Sequence, residues 1–310
     1  MLLRHLKPLV FVASLSLIPL GMSAAGLDAV KAAYESGDYP KAVTLLQAAA
    51  EKGDPRAECG LGIMYEHGRG VPQDKQKAVE WYMKAAAQND GRAQNNLGYL
   101  YYVGQGVAQN YKEAFNWYSE AVKHSADAWD KAVALNNLGS MYFFGRGVEK
   151  NYQKAADVYR QAAGKDNPYA ANNLAYLYEH GLGVAKDMGQ SAALYRKAAD
   201  MGYPTAQSNL AVMYETGRGV MLDYTEALKY FSEAAARGSN YAQAKLGRLN
   251  ERGLGTAKDL VEAYKWYSLA AQRGEEDAKE SMERLRQVMN PQQIAEAGRR
   301  ASEVKGAGHD

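Results

Sequence analysis

The chain has 310 residues, 47% of them hydrophobic and 23% charged, a balance that excludes wholesale disorder and a multi-span membrane protein. Lys and Arg number 37 against 35 Asp and Glu, which leaves no positive excess for a nucleic-acid partner. A single cysteine, Cys59, excludes a disulfide scaffold and a cysteine-built zinc module.

Residues 1–25 read as an export signal. Arg4, His5 and Lys7 form a basic start, Pro8 to Leu20 an apolar run, and Ser23-Ala24-Ala25 a small-residue cleavage site. The apolar run falls short of the roughly 20 residues that span a bilayer, so no stable membrane insertion is expected. No cysteine follows it to take a lipid. The expectation is cleavage after Ala25 and a periplasmic or secreted chain. Over 26–53, Tyr34, Gly37, Asp38, Tyr39, Lys41 and Ala42 look like a tetratricopeptide-type helical hairpin.

Over 54–275 one unit is written six times. Gly-x-Gly recurs at Gly68, Gly104, Gly145, Gly181, Gly217 and Gly253, at intervals of 36, 41, 36, 36 and 36 residues. Such a period signals a solenoid. Eleven residues before each first glycine stands Ala, seven before it Leu, and three before it Tyr, with Asn250 the exception. These spacings put the three on one side of a helix, here helix A. Glycine ends it, because it reaches the left-handed conformation without a β-carbon penalty. Six residues after each first glycine an Asp or Asn (Asp74, Asn110, Asn151, Asp187, Asp223, Asp259) is placed to cap a second helix, helix B. Its aromatic positions are Tyr82, Tyr118, Tyr159, Tyr195, Phe231 and Tyr267. Neither helix buries its stripe alone, so the units stack. After them, 276–305 reads as capping helices, with Asn290-Pro291 as a helix start. The tail over 306–310 is expected to fray.

From Ala57 through Leu61, Gly62, Tyr65, Gly68, Gly70, Val71, Asp74, Ala78, Trp81, Tyr82 and Ala85-Ala86, the pattern resembles the Sel1-like repeat, a relative of the tetratricopeptide repeat. The resemblance implies an all-α fold, a right-handed α/α superhelical solenoid, and a protein or peptide partner held in a concave groove lined by helix A. Some members of that family are associated with β-lactam binding or hydrolysis. Those are rich in cysteine, and a chain with Cys59 alone does not inherit that activity.

No catalytic constellation is visible: no His-Glu-x-x-His run and no nucleophile elbow. The Gly-x-Gly loops join two helices, with no preceding strand and no Lys-Ser/Thr, so they are not phosphate cradles. His67 and His180 each stand one residue before a first glycine, where an imidazole meets the last carbonyls of its helix. No metal and no cofactor is expected.

Function then falls to positions that the repeat leaves variable. Asn96, Asn137, Asn173 and Asn209 recur eight residues before the first glycine, with Tyr99 and Tyr176 three residues further along. Asn offers donors and acceptors to a bound peptide, and equally to a neighbouring helix that it would lock in place. The 41-residue interval marks an insertion of five residues within 123–131, where Trp129 is either a partner anchor or a local packing residue. In the last repeat Lys245, Arg248 and Arg252 form a cationic stripe, with Tyr241 one turn before. The stripe suits an acidic segment or a C-terminal carboxylate of a partner. The resulting expectation is an exported, non-enzymatic adaptor. An envelope glycan binder is the alternative, and a hydrolase a distant third.

Overall fold

The computed structural model describes residues 24–306, with side chains over 28–304. The export signal over 1–23 and the tail over 307–310 lie outside the described residues. Every regular element among those described is a helix. They form two compact units that divide at Ala170/Ala171. The first holds α1 (Ala24–Glu35), α2 (Tyr39–Ala50), α3 (Pro55–His67), α4 (Lys75–Ala87), α5 (Gly91–Val103), α6 (Tyr111–His124), α7 (Ala128–Phe144), α8 (Tyr152–Ala163) and the start of α9 (Pro168–His180). The second holds the rest of α9, then α10 (Met188–Asp200), α11 (Pro204–Thr216), α12 (Tyr224–Ala236), α13 (Asn240–Arg252), α14 (Leu260–Ala271), α15 (Glu276–Arg286) and α16 (Pro291–Gly306). Consecutive helices pack on one another from α1 through α8 and again from α10 through α15, while α16 folds back onto α14. The fold is an α/α solenoid of helix pairs.

The pairs arise where the periodicity placed them. Odd-numbered helices from α3 to α13 are helix A, and even-numbered ones from α4 to α14 are helix B. The helix-A alanines Ala57, Ala93, Ala134, Ala170, Ala206 and Ala242 are all fully buried. So are Ala78, Ala114, Ala155, Ser191, Ala227 and Ala263 at the matching position of helix B. Between them sit the helix-B rings, with Tyr82, Tyr118 and Phe231 at 0% exposure. Burying a ring of this size contributes about 1.5–3 kcal/mol. Residues Gly62, Gly98, Gly139 and Gly247 meet these rings so closely that an added β-carbon would lie within 2.7 Å of Tyr82, Tyr118, Tyr159 and Tyr267.

The Gly-x-Gly turn is built from three kinds of hydrogen bond. The first glycine is left-handed, and the next N–H reaches back to the last turn of helix A, as in Arg69 N to Met64 O at 3.0 Å and Arg146 N to Met141 O at 3.1 Å. The capping Asp or Asn then works twice. Its side chain accepts first-turn N–H groups of helix B, as Asp74 does from Gln76 and Lys77. Its own N–H donates to the residue three before the first glycine, as in Asp74 N to Tyr65 O at 2.9 Å. Asn250, in the place of tyrosine, keeps this bond to Asp259 because the acceptor is its backbone carbonyl.

At the C-terminal end, Asn290 and Gln293 form a reciprocal cap: Gln293 N donates to Asn290 Oδ1 at 2.9 Å, and Asn290 N to Gln293 Oε1 at 3.0 Å. Ala297 of α16, fully buried, closes over Ala263, Tyr267 and Ala270 of α14 together with Leu285 and Met289.

The second glycine of each turn is the more constrained. Gly147 has φ +70°, and a β-carbon there would overlap the carbonyl of Tyr111, the first residue of α6 in the preceding repeat. Gly147→Ala is therefore expected to lower stability by at least about 1–3 kcal/mol. At Gly164, which is right-handed and open, the same change is expected to be neutral or to stabilise by up to about 1 kcal/mol. Denaturant melts of the two variants beside the parent chain check this contrast.

Candidate functional site

The helix-A asparagines are the first group that sequence placed on a binding face. Asn137 is fully buried and Asn96 is 5% exposed. Asn137 Nδ2 donates to Asn95 Oδ1 at 3.0 Å, from α7 to α5. In the second unit Asn209 Nδ2 donates to Asn172 Oδ1, also at 3.0 Å, from α11 to α9. The same bond is thus made in both units: the second Asn of one repeat to the first Asn of the repeat before it. Of the two roles that the sequence left open for these amides, Asn137 takes the contact with a neighbouring helix. Successive A helices cover these amides, and a ligand reaches them only if the helices part. Asn173 and Asn209 are half-buried.

The tyrosines sort in the same way. Tyr176 is 8% exposed, and its ring stacks on His180 at 4.0 Å. Tyr99 is half-buried against the core around Leu97 and Leu100, where burial and the charge of Glu66 raise its hydroxyl above the usual phenol value. Trp129 is half-buried in the first turn of α7, its N–H held by Asp127 Oδ1 at 2.8 Å. His67 and His180 donate through Nδ1 to the carbonyls of Ile63 and Tyr176, at 3.1 and 3.0 Å.

A second set of buried polar groups explains the cationic stripe. Two residues before the first glycine stands Glu in four repeats: Glu66, Glu179, Glu215 and Glu251. The helix-B tyrosine sixteen residues later donates its hydroxyl to this carboxylate: Tyr82 to Glu66 at 2.7 Å, Tyr195 to Glu179 at 3.0 Å, and Tyr267 to Glu251 at 2.8 Å. Burial and the facing carboxylate hold these hydroxyls well above the ordinary phenol range, at about 12 for Tyr267. A cation completes each group: Lys75 on Glu66, Arg218 on Glu179, Arg284 on Glu251. Sequence reasoning missed this staple, although the recurrence of Glu beside a Tyr sixteen residues on was there to find. Two repeats lack this Glu, and with Phe143 in its place the Tyr159 hydroxyl meets Ser140 Oγ at 3.0 Å. With Tyr102 in the place of Glu, the buried Tyr118 hydroxyl finds no partner.

In the fifth repeat the ring is Phe231, which has no hydroxyl. Glu215, 8% exposed, is instead taken by Lys245 and Arg248 from the next helix A. The carboxylate that meets Lys245 and Arg248 is thus the chain's own. One carboxylate answers two cations. Burial, and then the neighbouring Arg248, lower the Lys245 ammonium, which lies 5.3 Å over the ring of Tyr241. Burial and the charge of Glu215 push the Tyr241 hydroxyl up to about 12. Arg252 is exposed at the end of α13.

Among the described residues, His, Cys, Asp and Glu form no group of three that would hold a metal. Nor is any described helix long and apolar enough to cross a membrane.

The Sel1 repeat family matches residues 25–54, 55–90, 91–125, 132–167, 168–203, 204–239 and 240–275. The first segment is the hairpin whose turn lacks Gly-x-Gly, and the gap at 126–131 falls within the 123–131 stretch that holds the insertion. No curated protein matches the chain. Among solved structures, a protective antigen of uropathogenic Escherichia coli strains with an SLR fold is 35% identical, with a TM-score of 0.72. The match covers 91% of this chain and 62% of that one, so the chain spans about three fifths of this relative. A Sel1 repeat protein from Oxalobacter formigenes is 31% identical over 79% of this chain and 96% of its own, with a TM-score of 0.70.

Asn137→Ala removes the donor that satisfies a buried carbonyl oxygen of Asn95. It is expected to cost about 1–3 kcal/mol in a denaturant melt. Asn173→Ala, at a half-buried site, is expected to cost less. An unchanged midpoint for Asn137→Ala would show that the inter-repeat bond carries no stability.

Proposed function

This chain belongs to the Sel1 repeat family, and on that premise we propose that it is an exported, non-enzymatic adaptor binding a protein segment along its helix-A face. Proteins built of these repeats mediate protein–protein interaction. The observation that carries the reading is the charge imbalance on α13. In the other Glu-centred groups a tyrosine hydroxyl and one cation share the carboxylate, whereas Glu215 faces Lys245 and Arg248, with Arg252 beyond them on the same helix. A surplus cation beside the half-buried ring of Tyr241 suits an acidic segment or a C-terminal carboxylate of a partner chain. Tyr99, Asn173, Asn209 and Trp129, all half-buried, are the further contacts proposed. The N-terminal segment over 1–25 supports export, and the likeness to a protective antigen of uropathogenic Escherichia coli fits an address in the periplasm or outside the cell.

The test is capture from crosslinked envelopes, alongside sedimentation with purified cell wall. The expected outcome is one or a few protein partners, retained more weakly as salt rises. Recovery of glycan with no protein partner would overturn the adaptor and favour the glycan-binding alternative. Arg252 gives the cleaner variant, because Arg248 also neutralises a buried carboxylate. Arg252→Glu is expected to weaken partner binding by about threefold or more, a typical loss for one exposed charge pair, with the melting curve unmoved.

A further inference from the structure

The connection between α6 and α7 is built unlike its counterparts. The turns from one repeat to the next carry a left-handed residue at Gly53, Asn89, Asp166, Gly202, Gly238 and Gly274. At the corresponding Ser125 the backbone is extended instead, with φ −63° and ψ 113°. The chain then runs through the stretch that no repeat segment covers and ends as an added turn of α7, 17 residues long against 13 in α5. Gly91 allows this, since a β-carbon there would lie 2.5 Å from Ser125 Oγ.

Beside this connection lies a cleft of about 250 Å3, walled by the N-terminal half of α3, the Gln88–Gly91 turn and the segment from His124 to Asp130. Cys59 and Ile63, each 3% exposed, supply an apolar wall. Most of its polar groups are already answered. Arg92 donates from Nε and Nη2 to Asp130 Oδ2, at 3.1 and 2.8 Å. Asp90 and Asp127 turn their carboxylates on the first N–H groups of α5 and α7, where the helix dipole favours negative charge. Gln94 Nε2 donates to Ala86 O, so its Oε1 is left to accept from His124 Nδ1 at 3.1 Å.

Two groups are not answered. Arg56 Nη1 is buried with no hydrogen-bond partner, and Ser125 Oγ is buried in the same condition. No ion pair among the described residues involves Arg56. An unmet buried donor costs about 1–3 kcal/mol unless a water, an ion or a ligand completes it.

We infer that this cleft binds a compact monocarboxylate, its carboxylate received by the Arg56 guanidinium and the Ser125 hydroxyl and its short carbon body lying against Cys59 and Ile63. One unpaired cation calls for one negative charge, and three aspartates at the rim oppose a dianion. The volume is below the roughly 300–1,000 Å3 of sites for drug-sized ligands, which restricts the occupant to a short chain. A free carboxylic acid and the C-terminus of a peptide share this chemistry. The site uses none of the α13 cations and stands independently of the adaptor reading.

Isothermal titration of the chain lacking residues 1–25 would use acetate, butyrate, acetyl-Gly-Ala with a free carboxylate, its amide, and inorganic phosphate. At least one carboxylate is expected to bind, with the amide and phosphate at least tenfold weaker. Tighter binding of the dipeptide acid than of butyrate identifies a peptide terminus as the source, and the reverse order a free acid. Arg56→Gln is expected to weaken binding at least tenfold and Ser125→Ala severalfold. Because neither side chain has an internal partner, neither variant should melt below the parent, which separates loss of a site from loss of fold. The proposal is overturned if no carboxylate binds, if phosphate or the amide binds as well as the acid, or if Arg56→Gln binds like the parent.

Discussion

The contact on which the repeat depends is the one made by a missing atom. The second glycine of each Gly-x-Gly lies against the first backbone carbonyl of the preceding helix B: Gly106 on Lys75, Gly147 on Tyr111, Gly219 on Met188, Gly255 on Tyr224. No side chain fits there. The close approach sets the spacing of one repeat on the next, and the left-handed first glycine sets the angle at which the chain leaves helix A. Once both are in place, the capping Asp or Asn is brought where its side chain starts helix B and its N–H ties back to helix A. Three short-range features thus produce one inter-repeat geometry, repeated along each unit.

That geometry decides the fate of the polar side chains in the interior. Stacked A helices lie close enough for Asn137 to reach Asn95, and Asn209 to reach Asn172. Helix B lies close enough for its tyrosine to reach the Glu of its own helix A, while a cation arrives from the same repeat or the next one. Such pairings of buried amides and carboxylates add specificity of register more than raw stability, because desolvation offsets much of the gain. A shift of one repeat against another would break these bonds together. Loss of a single hydroxyl, at Phe231, is met by recruiting two cations to one carboxylate, and the local charge surplus follows from that packing.

The five extra residues between the second and third Gly-x-Gly units act differently. Five of the six Gly-x-Gly repeats close on the element that follows through a left-handed turn residue that keeps the connection tight. At Ser125 the extended backbone removes that closure, and the added helical turn of α7 is joined to α5 through the Arg92–Asp130 pair, whose side chains are 16% and 12% exposed. The insertion therefore leaves space at one junction without disturbing the helix spacing on either side.

Much of this was written in the sequence. The all-helical repeat, the two helices per unit, the caps at Asp74 and its counterparts and the buried alanines follow from spacing alone, because each rests on contacts within some 15 residues along the chain. The site residues were less legible. Asn137 on a helix wheel presents the same face whether that face meets a ligand or the next helix, and only the stacking put Asn95 opposite it. Lys245 and Arg248 read as an open cationic stripe, since Glu215 stands 30 residues away and nothing local announces that it lacks a tyrosine. Periodicity specifies which residues share a face. What lies across from that face is set by long-range packing, and it was the tertiary structure that decided which polar groups were already satisfied and which, like Arg56 and Ser125, were left without a partner.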